Sequence, residues 1–477
     1  MAAGVGGASA ALGAPPTGPG GAIVLQFRLD DRTAAMSHRR VLSAACAVGL
    51  VLPGAAVVLH ETDLLPGAAV EQVASTTLTT AATMAAPAVA PQAAPAATAM
   101  ELKVSRSLLT GSRSQFLRKG FSGYVVDGGT GSVVWASNAA TTRMPASTQK
   151  IVTAFVALRS MDPNSRIVTR TAQSTDNPAN IYVVGAGDPT LTPGRLTAMA
   201  QRTAKALQAQ KRTKVNLYLD DSLFGPATLG SGWRNDYLVK NAQLVRSLTL
   251  TGYRGKDGAI AAGNVVRAQL ARQGITVVRY GRGKAPATRA TLSTSPSVPV
   301  KTMLGHMLSH SDNDYAEAIL RLSAVRAGKP GTWNGALVHS KSVLDAHGIP
   351  TAGYVARDGS GLSRTNRMPV RTLVRVLAKL NASAPDRAVV FVPTAMPVAG
   401  QTGTLGGRFK SPAHRCAAGR VSAKTGTLSD AITLAGIARG VGGRTRIFAF
   451  LENGDTRADS VRGALDTLAT STVGCKL

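Results

Sequence analysis

Acidic residues are scarce in this chain: 25 Asp and Glu stand against 54 Lys and Arg, a formal net charge of +29 over 477 residues. That surplus favours polyanionic partners, although an arginine-rich background composition would give the same balance. Aromatic residues are also few, at 4%, too few for the stacking platforms that hold single strands. The basic residues are spread along the chain rather than gathered in one block, so nucleic acid is not the expected partner. Anionic wall polymers or a membrane surface suit the charge better. Cysteines number only three, and no His/Cys cluster has metal-ligand spacing, so neither a metal site nor a cofactor is expected.

Long apolar runs are nearly missing as well. The one near the start, Val41 to Leu59, follows a basic stretch, Ser37-His38-Arg39-Arg40, that begins at a candidate true start, Met36. Interrupted by Pro53, the run is only just long enough to span a bilayer, and it reads as either a signal peptide or a membrane anchor that sends the rest of the chain outside the cytoplasm. Cys46 lies inside it without the leucine three places before that a lipoprotein anchor would have. Cys416 and Cys475 remain, an even pair in an oxidising compartment, and are expected to form a disulfide; two free buried thiols are the alternative.

What is present begins with Pro145-Ala146-Ser147-Thr148-Gln149-Lys150, followed by the apolar run Ile151 to Leu158. Pro145 belongs just before a first helical turn, which puts Ser147 and Lys150 on one side of it. A serine hydroxyl needs a base to become a nucleophile, and a lysine can be that base only if burial or a neighbouring cation lowers its pKa. The helix start also offers unpaired N–H groups where an oxyanion could form. Alone this is weak, since Ser-x-x-Lys occurs by chance about once in a chain this long.

Two further stretches carry chemistry. Ser311 and Asn313, two apart in a turn between apolar periodicity from Val300 to Leu308 and a following helix, would point one way. A hydroxyl and an amide so placed can relay a proton and hold a carbonyl, although Ser, Asp and Asn at a helix start are more often caps. Lys424-Thr425-Gly426-Thr427 stands at the lip of an apolar strand, where the lysine and hydroxyl can bind a carboxylate and Gly426 permits close approach. Gln401-Thr402-Gly403-Thr404 repeats the pattern without the lysine and reads as a structural turn. Gly185-Ala186-Gly187-Asp188-Pro189 only superficially looks like a nucleotide loop, because the third glycine is missing and Pro189 blocks the helix.

Ser-x-x-Lys, Ser-Asp-Asn and Lys-Thr-Gly in this order are the signature of penicillin-interacting serine enzymes. With Asn313 to Glu317, Gly187 to Leu191, Asp358 to Arg364 and the long insertion between Ser147 and Ser311, the chain resembles the class C low-molecular-mass penicillin-binding proteins, the D-alanyl-D-alanine carboxypeptidase/endopeptidase family. The resemblance runs from about Leu102 to the C-terminus. It implies an α+β, serine β-lactamase/transpeptidase-like fold: an antiparallel sheet flanked by helices, plus an α-rich lobe and an inserted smaller α/β domain.

It also implies Ser147 as the acyl-enzyme nucleophile and Lys150 as its base. Ser311 would pass a proton to the departing D-alanine, Asn313 would bind the substrate amide, and Lys424 and Thr425 the terminal carboxylate. The N–H groups of Ser147 and Thr427 would hold the oxyanion. The implied substrates are peptidoglycan stem peptides, with β-lactams as covalent inhibitors. A β-lactamase of the same fold would need a deacylating base, and no Glu-x-x-x-Asn loop follows Ser311; a non-catalytic wall-binding protein is the other alternative. The expected organisation is 1–35 extension, 36–65 signal peptide or anchor, 66–100 linker, 101–162 with 299–477 catalytic domain, and 163–298 inserted domain.

Overall fold

The structure, a computed structural model, describes residues 98–475, so the expected extension, membrane segment and nearly all of the linker lie outside the described residues. Thr98 caps the first helix by accepting from the Glu101 N–H, so Ala99 and Met100 are helix rather than linker. Among the described residues no helix is long and apolar enough to cross a membrane.

In chain order the strands are β1 (Phe121–Asp127), β2 (Val133–Ser137), β3 (Thr142–Arg143), β4 (Arg166–Ser174), β5 (Asn180–Val184), β6 (Lys214–Asp220), β7 (Thr276–Arg282), β8 (Arg289–Pro299), β9 (Met368–Pro369), β10 (Val421–Leu428), β11 (Ala431–Arg439) and β12 (Thr445–Asn453). The helices are α1 (Ala99–Ser112), α2 (Gln149–Ser160), α3 (Pro193–Ala209), α4 (Tyr237–Lys240), α5 (Gly258–Arg272), α6 (Val300–His310), α7 (Asn313–Arg326), α8 (Trp333–Ala346), α9 (Val370–Ala382), α10 (Ala384–Val390) and α11 (Ala458–Val473).

The main sheet is antiparallel, in the order β10-β11-β12-β1-β2, and both its faces are covered. That explains why β12 reads as an apolar run instead of an alternating strand. Ile447, Ala449 and Leu451 join the cluster shared with α2, α6, α7 and α9, while Phe448 and Phe450 join the cluster under α1 and α11. The fold is therefore α+β, with the helical lobe against one face of the sheet.

Residues 166–299 supply a second sheet, β7-β6-β5-β4-β8, with a separate core formed with α3 and α5. Its three strands β5, β6 and β7 run parallel. β7 and β8 escape a sequence reading because they are edge strands, largely exposed and lacking an apolar run.

The expected bridge between Cys416 and Cys475 is not formed: both are free thiols. They do meet, and burial first, then the hydrogen bond and charge of Cys416, push the Cys475 thiol up to about 12. An even count says which cysteines are left over, not whether they are bonded.

One buried ion pair ties the fold's ends together. Arg446 on β12, with no exposed surface, donates to Glu101 on α1 at 2.8 Å and to the Thr472 carbonyl in the last turn of α11 at 2.8 Å. Glu101→Ala would leave that guanidinium buried without a counter-charge, and is expected to cost about 3–5 kcal/mol in a urea unfolding series. A loss of stability within experimental error of zero would contradict this account of the joint.

Candidate active site

The site grows from the segment ahead of α2. Asn453, at the end of β12, clamps Met144 through both backbone groups, accepting from its N–H at 2.7 Å and donating to its carbonyl at 3.2 Å. Thr433 on β11 and Thr148 both donate to the Pro145 carbonyl. Ala146 follows with a φ of +45°, which an alanine adopts only under constraint, and its carbonyl faces Gly361. A Cβ at Gly361 would lie 1.9 Å from that oxygen, so only glycine fits there.

Ser147 then sits in a 3-10 turn, Ala146–Thr148, that runs directly into α2. Side chains three apart eclipse one another in a 3-10 turn, and Lys150 Nζ lies 3.0 Å from Ser147 Oγ. Ser147 is half-buried, whereas Lys150 is fully buried.

Lys150 Nζ donates to three oxygens that come from three parts of the chain: Ser147 Oγ, Asn313 Oδ1 at 2.7 Å and the Ser360 carbonyl at 2.7 Å. Desolvation disfavours its charged form, and the opposing pull of Asp358, Glu317, Asp312 and Asp314 does not offset this, so its pKa falls to about 8. A neutral Nζ has a lone pair, and the same contact with Ser147 Oγ can then carry the hydroxyl proton the other way.

Ser360 is a partner that reading the sequence missed, because a backbone carbonyl has no residue signature. The loop bearing it is held from below. Glu317 on α7 accepts from the Gly359 and Ser360 N–H groups, and burial, then the Asp358 charge, pushes its carboxyl up to about 7. Asp358 in turn accepts from Trp233 Nε1, the Gly361 and Ser363 N–H groups and Asn366.

α6 ends at Ser311, whose φ of +59° is left-handed, and Asp312 caps α7 by accepting from the Tyr315 N–H. Asp312 and His306 are also in contact, Oδ2 to Nε2 at 3.1 Å. The Ser311 and Asn313 side chains are thus set on a helix break, with Asn313 the first residue of α7. Asn313 Nδ2 donates to the Asn241 carbonyl, and Asp314 accepts from the Gln243 N–H and Arg254, so residues 241–254 seat against this turn.

The third piece is β10, an edge strand. Lys424 Nζ donates to Ser311 Oγ at 2.8 Å and to the Thr425 carbonyl at 2.8 Å. It too is fully buried, and its pKa is driven well below the ordinary lysine range, by desolvation first and the Lys150 charge second. Ala423 turns its N–H outward to the Pro397 carbonyl. By the two-residue alternation of a strand, Thr425 and Thr427 present their backbone groups on that same outer edge, beside the Ser147 turn. Gly426 is what lets them come so close: a Cβ there would lie 2.9 Å from Ser147 N and 2.1 Å from Thr433 Oγ1.

So Ser147, Lys150, Ser311, Asn313, Lys424, Thr425 and Gly426 are brought together in one cleft, and Thr427 follows on the same strand edge. Thr404, which reads as part of a structural turn, also reaches it: Thr425 Oγ1 donates to its hydroxyl at 2.8 Å. Beyond Thr427 the cleft continues into a cavity of about 490 Å3 lined by Arg234, Asp236, Tyr237, Leu362 and Ser429 among others. Cys416 and Cys475 lie outside the cleft, by the core under α1 and α11.

Comparison with known proteins gives a consistent picture. The sequence pattern of the D-Ala-D-Ala carboxypeptidase 3 (S13) family matches residues 113–251 and 238–472. Carboxypeptidase Rv3627c of Mycobacterium tuberculosis is 32% identical over 402 residues, 80% of this chain and 86% of that protein. Carboxypeptidase DacB of Mycolicibacterium smegmatis is 29% identical, covering 74% and 80% of the two chains. Among solved structures, penicillin binding protein 4 of Haemophilus influenzae superposes with a TM-score of 0.64 at 22% identity, over 76% of this chain and 97% of that one, a likeness of fold.

Gly426→Ala tests the close approach of β10 to the nucleophile. Displacing the strand by about an ångström is expected to slow covalent modification of Ser147 by an acylating agent roughly a hundredfold, with the protein still folded. An unchanged rate, followed by intact-mass spectrometry, would contradict the geometry.

Proposed function

The chain belongs to the D-Ala-D-Ala carboxypeptidase 3 (S13) family, and from that premise we propose that it is a serine enzyme hydrolysing the terminal D-Ala-D-Ala bond of peptidoglycan stem peptides through an acyl-enzyme on Ser147. The observation that carries the reading is the contact between Ser147 Oγ and the fully buried Lys150 Nζ.

In the proposed sequence neutral Lys150 takes the Ser147 proton as Oγ attacks the scissile carbonyl carbon. The oxyanion forms between the N–H groups of Ser147 and Thr427. Collapse breaks the C–N bond as the departing D-alanine amine takes a proton from Ser311, and Ser311 is reprotonated with the proton that Lys150 took from Ser147, which leaves Lys150 neutral again. Because Ser311 Oγ accepts from Lys424 Nζ, its own O–H is free to turn toward the leaving nitrogen. Asn313, beside Lys150, orients the substrate amide, and Lys424 with Thr425 receives the terminal carboxylate. Water then attacks the acyl carbon as neutral Lys150 accepts its proton, and Lys150 returns that proton to Oγ as the ester bond breaks and Ser147 leaves as the alcohol.

Both lysines disfavour their charged forms. A substrate carboxylate would supply the counter-charge that Lys424 lacks, so Lys424 becomes the cation. Its positive charge then keeps Lys150 in the neutral, basic form. Recognition of the terminal carboxylate and activation of the nucleophile are thereby one electrostatic event.

Substrate residues on the acyl side would run along the outer edge of β10 as an added strand and reach the cavity beyond Thr427. Residues 163–298 are proposed as an inserted domain that walls the cleft through Asn241, Gln243 and Arg254. Since peptidoglycan is assembled outside the cytoplasm, the enzyme is proposed to act there. Glu317 argues against a β-lactamase: it is the next carboxylate along the chain after Asp312 and Asp314, and both its oxygens are taken up by Gly359 and Ser360, so it is not available as a general base for fast deacylation.

The test is incubation with a pentapeptide and, in parallel, a cross-linked muropeptide, together with labelling by a fluorescent penicillin. A carboxypeptidase shortens the pentapeptide by one D-alanine and carries a lasting adduct that Ser147→Ala abolishes; cleavage of the cross-link would add endopeptidase action. An adduct that survives in Ser147→Ala, or rapid release of hydrolysed penicillin, would sink the proposal.

A further inference from the structure

The inserted lobe is electrically two-ended. The C-terminal ends of β5, β6 and β7 carry the loops that reach the cleft, and there acidic residues are interleaved with the basic ones, although Lys240, Lys256 and Lys284 are in no ion pair among the described residues. Arg195 pairs with Asp188, Arg246 and Arg282 with Asp221 and Asp257, and Arg254 with Asp314. The opposite end, about 23 Å away by strand length, is built from the C-terminal turns of α3 and α5 and the first residues of β6 and β7. Gln208 on α3 donates to the Gln273 carbonyl just past α5, and Lys214 is paired in register with Thr276, so these four termini adjoin.

On this end lie Lys205, Lys211, Arg212, Lys214, Arg267 and Arg272, all exposed except the half-buried Arg212. None is in an ion pair among the described residues. No Asp or Glu occurs in 189–219 or in 258–311. The acidic residue at this end of the lobe, Asp176, lies on the β4–β8 side, bonded to Thr175 and Thr288. Helix dipoles favour a cation in each last turn, which accounts for Arg272 and one neighbour, not for six. Between α5 and β7 runs a cavity of about 820 Å3 lined by Asn264, Arg267, Ala268 and Thr276 among others.

We propose that this far end of the lobe is a docking surface for an anionic polymer of the cell wall, a chain of phosphodiester groups, which holds the enzyme on its matrix while the cleft at the other end stays open. Charge complementarity selects a polyanion. The choice of polymer over a lipid surface rests on how little apolar surface the end has: α3, α5 and the segment 210–216 expose no large hydrophobic residue and the start of β7 exposes one, Val278, whereas a helix face that lies on a bilayer needs several to insert. The inference takes its location from the proposed function but not its chemistry, so the two can fail separately.

The experiment measures binding of the full chain to poly(glycerol phosphate) across a salt series, with penicillin acylation followed in the same samples. Reversing four charges by Lys211→Glu, Lys214→Glu, Arg267→Glu and Arg272→Glu is expected to weaken binding at least tenfold. The slope of log affinity on log salt should fall by roughly three to four. A control with the same change of net charge, Lys103→Glu, Arg106→Glu, Arg113→Glu and Arg118→Glu on and just after α1, should lose less than threefold, and all three proteins should acylate within twofold of one another. Equal loss in both variants would reduce the binding to overall charge and overturn the surface. So would unchanged binding in the first variant, or binding to vesicles containing an anionic phospholipid with none to the polymer.

Discussion

An ammonium group removed entirely from water is the constraint on which this structure depends. Lys150 has no exposed surface and is surrounded by three fixed oxygens and a set of carboxylates one shell further out. Without those oxygens, burying the amine would be costly in either state; with them it is held in place and its proton is loosened. Each oxygen belongs to a different segment, so the alignment is only as good as the packing of the whole domain. β11 and β12 hold the chain ahead of Ser147, α6 and α7 present Asn313 at their break, and the Glu317 and Asp358 carboxylates fasten the loop that offers the Ser360 carbonyl.

Such an arrangement explains why residues that do no chemistry themselves are specified so closely. Gly361 and Gly426 are glycines because an ordinary side chain would strike the backbone on either side of the nucleophile. Glu317 is buried and tied to two N–H groups because the loop above it has no sheet partner to fix it. Paired lysines in one cleft add the electrostatic element: the charge of Lys150 makes that of Lys424 less favourable, and under the proposed function a bound carboxylate would relieve that strain at Lys424.

Much of this was legible in the sequence where the signal is local. Pro145, the three-residue spacing of Ser147 and Lys150 and the apolar run that follows place a nucleophile at a helix start. The strands β10, β11 and β12 announce themselves as apolar runs because both faces of the sheet are covered. Convergence of the three segments is another matter: it followed from motif order and family likeness, since no periodicity reports which turns meet across a core. The Ser360 carbonyl and the Thr404 hydroxyl were hidden for that reason, the first because any residue has a carbonyl. β7 and β8 were hidden because exposed edge strands rich in Arg, Ser and Thr carry no apolar pattern. Counting cysteines paired Cys416 with Cys475 correctly in space but not in bonding, because parity says nothing about whether two neighbouring thiols are joined.

The account's central claim, that burial makes Lys150 a base near neutral pH, is tested most directly by the pH dependence of Ser147 acylation under single-turnover conditions. With a Lys150 pKa of about 8, lowering the pH protonates the base, so the rate should fall about tenfold per unit below that value and level off above it. A rate that is flat from pH 6 to 10, or one that is still climbing toward the pKa of a free lysine, would contradict it.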